Sequence, residues 1–208
     1  MFATSCETLE ARAVLAANSI LALGAASGPA GGTVDIPVTV AIPAGEPAEA
    51  FSAFNLAVAY DPAVLDFVSA APTDFTSGFS LSTATFSGAA GLLTLTSFTS
   101  GPTSQIDATS GSRVLAKLTF SIRSDAIATT SVVNLLATAK GVTTKLLGSD
   151  ASEAILTPAP TNAATDSVDG SVTVTANSYT VTYDVNGGIA VSPTTKSVTF
   201  GSAYGTLV

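Results

Sequence analysis

Few residues in this sequence are of the types that perform catalysis near neutral pH. The chain has no histidine and a single cysteine, Cys6, which rules out Ser-His-Asp and Cys-His arrangements. Asp61 and Asp66 lie close together, but Asp61 is followed by Pro62, and an Asp-Pro pair is typical of a turn in which the carboxylate accepts a backbone hydrogen bond. Spacing alone leaves a carboxylate pair for glycoside hydrolysis open, although no pattern indicates one. The sequence therefore predicts a protein that is not an enzyme and needs no cofactor.

Metal-binding patterns are equally sparse. Zinc prefers clusters of histidine and cysteine, which this composition cannot supply. A calcium loop needs several oxygen ligands in close sequence, and no DxDxDG run is present. Asp166 and Asp169 leave open a minor calcium site completed by backbone carbonyls. We predict no metal site of the loop type.

Composition limits the partners of the chain. Among 208 residues, 47% are hydrophobic and 11% are charged, with a net charge of -8. Such a chain can bury a core, and it has no basic patch that would neutralise nucleic acid or an anionic membrane surface. No apolar run is long enough to span a membrane.

The elements that would position any site are strands. Phe54, Leu56, Val58 and Tyr60 alternate with smaller or polar residues, which is the period of a strand with one buried face. Residues 33–42 alternate in the same way, with Pro37 indicating an edge position or a bulge. Residues 114–123 do so too, and similar runs occupy residues 19–25, 79–86, 92–99, 131–137, 145–156 and 169–174. Short strands separated by Gly/Pro turns predict an all-β antiparallel sandwich or barrel.

Three of these segments carry a family resemblance. TVDIPVTV, FNLAVAYDPAVLDFVS and VLAKLTFSI are similar, in this order, to strands of cohesin domains, the modules that receive dockerin domains in extracellular assemblies. The resemblance implies a jelly-roll β-sandwich over residues 18–176. It also implies a non-catalytic module that binds a dockerin-bearing protein, with calcium held by the partner.

The resemblance implies a docking face as well. Dockerin helices would lie across a sheet built from residues 51–60, 79–86, 92–99 and 114–123, and Asn55 falls where the family often has Asn or Asp. The alternation assigns the outward side chains of that sheet to Ala53, Asn55, Ala57, Ala59, Thr94, Thr96, Leu115, Lys117 and Thr119. On this interpretation, Asn55→Asp or Leu115→Glu abolishes dockerin binding.

The two ends of the chain differ from the sandwich. Residues 1–17 are predicted as a leader with a short helix capped by Thr4 or Ser5; a signal peptide cleaved after Ala26 is the alternative. YTVTYDVNGGIAVSPTTKSVTFGSAYGTLV resembles the internalin-type B-repeat, which implies a partial β-grasp-like module at residues 177–208. Asn186, Gly187 and Gly188 supply the left-handed turn residues of its hairpin. A monomeric module of a longer, exported bacterial protein at the cell surface is the resulting expectation.

Two other functions stay open from the residues alone. The first is a structural spacer in a surface adhesin. The second is a carbohydrate-binding module linked to polysaccharide breakdown. Sugar platforms are built from Trp and Tyr, but the chain has no Trp, and alternation directs Tyr60 inward. Between residues 18 and 176, Phe98 is the aromatic candidate for an exposed position, and one Phe is not a platform, which disfavours polysaccharide as the ligand.

Overall fold

The computed structural model describes residues 18–99, 104–106, 111–148, 152–184, 186–189, 192, 194–200 and 202–203. Within them the chain consists of strands and one 3-10 helix, Asp74–Thr76, and no helix is long and apolar enough to cross a bilayer. The predicted leader and Cys6 lie outside the described residues. The all-β prediction is confirmed.

The strands are numbered in chain order. They are β1 (Asn18–Leu23), β2 (Ala25–Pro29), β3 (Thr33–Ala41), β4 (Glu49–Phe51), β5 (Ala53–Tyr60), β6 (Leu65–Pro72), β7 (Ser80–Phe86), β8 (Gly91–Phe98), β9 (Ser104–Ile106), β10 (Ser112–Ile122), β11 (Thr129–Leu136), β12 (Thr138–Ala139), β13 (Val142–Thr143), β14 (Lys145–Leu147), β15 (Ile155–Leu156), β16 (Gly170–Thr175), β17 (Ser178–Thr182) and β18 (Thr195–Thr199).

Two sheets form the sandwich. One has the order β15-β1-β3-β10-β6, and the other has the order β2-β16-β11-β5-β8-β7, with β14 also paired to β5. Most neighbours are antiparallel as predicted, but β1 pairs with β15, and β2 with β16, in parallel. Strands β1 and β2, at the start of the sandwich sequence, thus pair with β15 and β16, near its end.

The core lies between the sheets and follows the alternation in the sequence. Phe54, Leu56 and Val58 on β5 are fully buried, and Leu118 and Phe120 on β10 face them from the other sheet. Tyr60 points inward as predicted, since its ring lies 5.2 Å from the Phe120 ring in an edge-to-face contact. Burial raises the pKa of the Tyr60 phenol above its ordinary value.

A glycine pair allows the first strand region to change sheets. At Gly24 the chain leaves β1 for β2, and the Gly24 amide donates a 2.8 Å hydrogen bond to the Pro37 carbonyl oxygen. Pro37 therefore lies where β1 ends beside β3, which explains how proline is tolerated in a strand between two neighbours. A Cβ on Gly170 would lie 2.5 Å from the Gly24 carbonyl oxygen and 2.8 Å from Leu23 Cβ, so the crossing has no room for a side chain there.

We expect Gly170→Ala to lower the free energy of unfolding by about 2 kcal/mol, because backbone must move to admit the methyl group. Urea denaturation followed by circular dichroism measures the change. Gly88→Ala is the matched control, since the nearest atom to its Cβ would be 3.5 Å away. Equal stability of the two variants would contradict the close packing at the crossing.

One predicted strand is wrong as a single element. Residues 145–156 divide into β14, which pairs with β5, and β15, which pairs with β1 in the opposite sheet. The segment between them includes Gly148, whose amide bonds the Ser152 carbonyl oxygen at 2.8 Å. The apolar residues at the two ends of segment 145–156 therefore belong to different sheets. Hydrophobic periodicity alone cannot show that such a segment is two strands.

The C-terminal residues form their own small sheet. Strands β17 and β18 are antiparallel, and among the described residues they pair only with each other. Asn186 and Gly187 have φ values of 40° and 86°, which confirms left-handed backbone at two of the three predicted turn residues; Gly188 does not adopt it. Asn177 connects this sheet to the sandwich, because its Nδ2 donates to the Ala30 carbonyl oxygen at 3.0 Å. The B-repeat assignment stays a prediction.

Candidate functional site

The outer face of the larger sheet is organised by β5, which lies between β8 on one side and β11 with β14 on the other. Cross-strand register sets the outward residues in rows. The row through Asn55 contains Thr96, Lys145 and Ser82. The row through Ala57 contains Thr94, Leu136 and Ala84. The row through Ala59 contains Leu92, Asn134 and Phe86.

An excursion of the chain interrupts the strand beside β5. β11 pairs with β5 as far as Leu136, and β14 resumes the pairing at Lys145. Residues 137–144, called the flap below, leave the sheet between these points and include the β12–β13 hairpin. Its turn uses left-handed backbone at Lys140 and Gly141, with φ values of 49° and 80°.

A threonine closes the gap that the flap leaves in the ladder. Thr144 is buried, and its Oγ1 accepts a 2.9 Å hydrogen bond from the Ala57 amide and donates a 2.6 Å bond to the Leu136 carbonyl oxygen. The Thr144 amide also donates to the Ala137 carbonyl oxygen at 2.9 Å. The Thr144 hydroxyl thus takes the place of backbone hydrogen bonds that the sheet lacks at this point. Its two bonds hold the ends of the flap against the sheet.

The flap lies across the middle of the outer face. β12 and β13 contact β5, and β13 also contacts β8. Lys140 at the turn places its Nζ 5.5 Å from the centre of the Phe86 ring on β7, a cation–π contact. As a result Ala57 is 0% and Thr94 is 6% exposed.

The nine predicted partner-binding residues therefore divide into three groups. Ala53, Asn55, Ala59 and Thr96 lie on the outer face and are partly exposed. Ala57 and Thr94 face the same way, but their predicted availability is wrong because the flap covers them. Leu115, Lys117 and Thr119 are misplaced: they lie on β10, which belongs to the other sheet.

The prediction for Leu115 is wrong in a second respect, because its side chain is fully buried and does not point outward. The pairing of β10 with β3 shifts register between Val114 and Ala116, so the bulge breaks the alternation at this residue. Thr73 Oγ1 donates to the Val114 carbonyl oxygen at 2.6 Å, and Thr76 Oγ1 donates to that of Leu115. These bonds hold the bulge in place.

One open part of the outer face lies on the β14 side of the flap. We call it the Asn55 surface, and it consists of Ala53, Asn55, Ser82, Thr96 and Phe98. Phe98 is 58% exposed, which makes it a large apolar side chain without cover from the described residues. An ion pair borders the surface, with Lys145 Nζ 2.5 Å from Glu153 Oε1.

A shallow, open depression of about 370 Å³ lies at the other end of the face. Its lining comprises Ala59, Tyr60, Asp61, Ala89, Ala90, Val132, Asn134 and Ala164. Asn134 is 8% exposed, and its Oδ1 has no hydrogen-bond partner among the described residues. Strand alternation indicates neither Asn134 nor the flap, but the Lys140-Gly141 pair between two apolar runs is a sequence signal for the turn of the flap.

The carboxylates considered for chemistry have structural partners. Asp61 Oδ1 accepts from the Ala63 amide at 2.9 Å, which confirms the predicted turn bond. Asp66 lies 3.6 Å from Arg123. Asp169 accepts from the Leu135 and Asp166 amides, each at 2.8 Å. In the part of the chain that the structure describes, no three His, Cys, Asp or Glu residues group as metal ligands.

The architecture and its partly open face define a β-sandwich module, and comparison with known proteins specifies which one. The sequence matches the family model of the cohesin domain over residues 20–156. Since that match spans more than half of the 208 residues, the chain belongs to the cohesin family. Among curated proteins, no sequence matches this chain significantly.

Solved cohesins share the fold at low sequence identity. A non-cellulosomal cohesin from the archaeon Archaeoglobus fulgidus is 17% identical with a TM-score of 0.52, covering 76% of this chain and 92% of its own. A Clostridium thermocellum cohesin in a type I cohesin–dockerin complex is 12% identical with a TM-score of 0.53, covering 76% and 99%. The sixth cohesin of Acetivibrio cellulolyticus scaffoldin B, solved with a Cel5 dockerin, is 18% identical with a TM-score of 0.52, covering 76% and 99%. The predicted jelly-roll sandwich is confirmed.

Proposed function

We propose that this chain is a non-catalytic docking module that binds a dockerin-bearing protein through the Asn55 surface. Family membership supports the kind of partner, because relatives in the same family have been solved in complex with dockerins. The observation that carries the location is the exposed Phe98 ring beside Asn55 and Thr96, on a part of the predicted face that the flap leaves open.

The composition of this surface suits a helix. Ala53 and Ser82 are small, so a partner backbone can approach the sheet closely. Phe98 offers the large apolar contact area that dominates interface energies, and the Asn55 amide offers both a donor and an acceptor. Lys117 and Thr119, on the opposite sheet, are removed from the docking face by this assignment.

Location and context follow from the proposed partner. A module that receives dockerins would work outside the cell or at its surface, as part of a longer scaffold. A purely structural spacer would use the same fold without a partner. Binding to polysaccharide has less support, because Tyr60 packs on Phe120 in the core and Phe98 alone does not form a platform.

Calorimetry with calcium-loaded dockerin modules encoded in the same genome tests this function. At least one should bind, and Thr96→Arg should weaken that affinity by about 100-fold, because a long charged side chain would project between the sheet and the docked helix. Lys117→Glu is the control, since it changes charge on the other sheet and should leave the affinity unchanged.

The outcomes separate the alternatives. If no dockerin of that genome binds, the docking function is wrong and the spacer is favoured. If a dockerin binds wild type and Thr96→Arg equally, the function holds but the Asn55 surface is not the interface. Retention on insoluble cellulose without dockerin binding would favour the carbohydrate-binding alternative.

A further inference from the structure

Strand β7 lies at one edge of the larger sheet, and β2 lies at the other. The seven residues of β7 pair with β8 along their whole length without a register shift. Among the described residues no strand pairs with the opposite edge of β7. An edge of this kind presents a row of backbone N–H and C=O groups that can accept another strand.

β6 of the opposite sheet contacts β7, but the centre of β7 stays exposed. Ser82, Thr83, Ala84 and Thr85 are all exposed, although successive side chains of a strand point to opposite faces. Both faces of β7 are therefore exposed to solvent at its centre, where an incoming strand could pair with it.

β7 lacks the features that usually prevent an edge strand from pairing with another chain. Natural edge strands commonly carry a charge, a proline or a bulge, and β7 has none of these. The free edge of the other sheet differs: β6 contains Asp66 and Pro72, and its pairing with β10 has a register shift. The contrast within one molecule indicates that β7 is left available.

We propose that β7 pairs antiparallel with β7 of a second copy of this chain, about a two-fold axis through Thr83. In that register Thr83 faces its own copy, Ser82 faces Ala84, and Leu81 faces Thr85. Each cross-strand pair combines small or uncharged side chains, and a threonine pair is favourable in antiparallel sheets. The two larger sheets would then form one continuous sheet.

A second copy fits this edge better than a charged partner strand. Every side chain of Ser80–Phe86 is neutral, while each chain carries a net charge of -8. Association therefore relies on backbone hydrogen bonds and opposes a general repulsion, so it should strengthen as salt screens that repulsion. This pairing goes beyond dockerin binding and differs from the monomeric module that the sequence predicts.

Sedimentation equilibrium of the full chain tests the pairing over roughly 10 µM to roughly 1 mM protein. We expect a concentration-dependent dimer that becomes tighter with added salt. Thr83→Lys and Thr83→Glu should each weaken dimerisation by about tenfold or more, because two like charges would face each other across the axis. An equimolar mixture of the two variants should restore the dimer.

Thr173→Lys is the matched control, because Thr173 is an exposed threonine on β16, inside the same sheet and away from the β7 edge. It should dimerise like wild type. A monomer at every concentration would overturn the proposal. So would a dimer that both Thr83 variants form as readily as wild type, or a mixture that associates no better than either variant alone.

Discussion

Leu115→Glu should unfold the sandwich rather than block a docking surface. The Leu115 side chain is 0% exposed, so the substitution places a carboxylate in the core, and the penalty for an unpaired buried charge is of the order of 5 kcal/mol or more. Since whole domains are stable by only about 5–15 kcal/mol, most of the folded population would be lost. Thermal unfolding followed by circular dichroism should show no cooperative transition near that of wild type.

The neighbouring lysine provides the control for this result. Lys117 lies two residues further along β10 and is exposed, so Lys117→Glu introduces the same carboxylate without burying it. Its melting temperature should stay close to that of wild type. A folded Leu115→Glu protein with wild-type stability would show that the bulge does not turn this side chain into the core.

Thr144→Val should cost about 3 kcal/mol of stability although it keeps the shape of the side chain. Removing the hydroxyl leaves the Ala57 amide without its acceptor and the Leu136 carbonyl oxygen without its donor, and all three residues are buried. Chemical denaturation measures the loss. Amide hydrogen exchange at Ala57 should accelerate with it, because that N–H loses its bond.

Thr143→Val is the matched control, because it makes the same substitution one residue earlier at a threonine whose hydroxyl does not bond the β5 backbone. Thr143 is exposed on β13, so Thr143→Val should change stability by less than about 0.5 kcal/mol. Thr144→Ser keeps the hydroxyl and should retain most of the stability. If Thr144→Val and Thr143→Val unfold at the same denaturant concentration, the hydroxyl does not close the ladder.

Much of the fold could be predicted because its strands are regular. The alternation of Phe54, Leu56 and Val58 has one buried face and one that is more open, and the structure reproduces it with the expected parity. β3 and the second half of β10 behave in the same way. In each case the side-chain period of two is set by the backbone, so it can be read from a single sequence.

The candidate site was harder to predict for two physical reasons. A bulge adds one residue to a strand, and it turned Leu115 inward without changing the hydrophobic pattern around it. Sheet membership depends on non-local pairing, so the regular alternation of β10 gave no information on which sheet it joins.

The cover over Ala57 and Thr94 comes from a segment about 80 and 40 residues away in sequence, respectively. The sequence predicts strands at residues 131–137 and 145–156, but the path of the segment between them over the sheet depends on tertiary contacts such as Lys140 on Phe86. Asn55 and Thr96 were placed correctly on the outer face because both belong to uninterrupted strands.

The parallel pairing of β2 with β16 has a mechanical consequence. Five residue pairs join Ala25–Pro29 to residues 171–175, and these strands lie at opposite ends of the sandwich sequence. A force that pulls the two ends apart would slide the strands along each other in shear, so that their hydrogen bonds resist tension together instead of opening one after another. Such a module would transmit load between its neighbours in a chain while its sheet face stays intact.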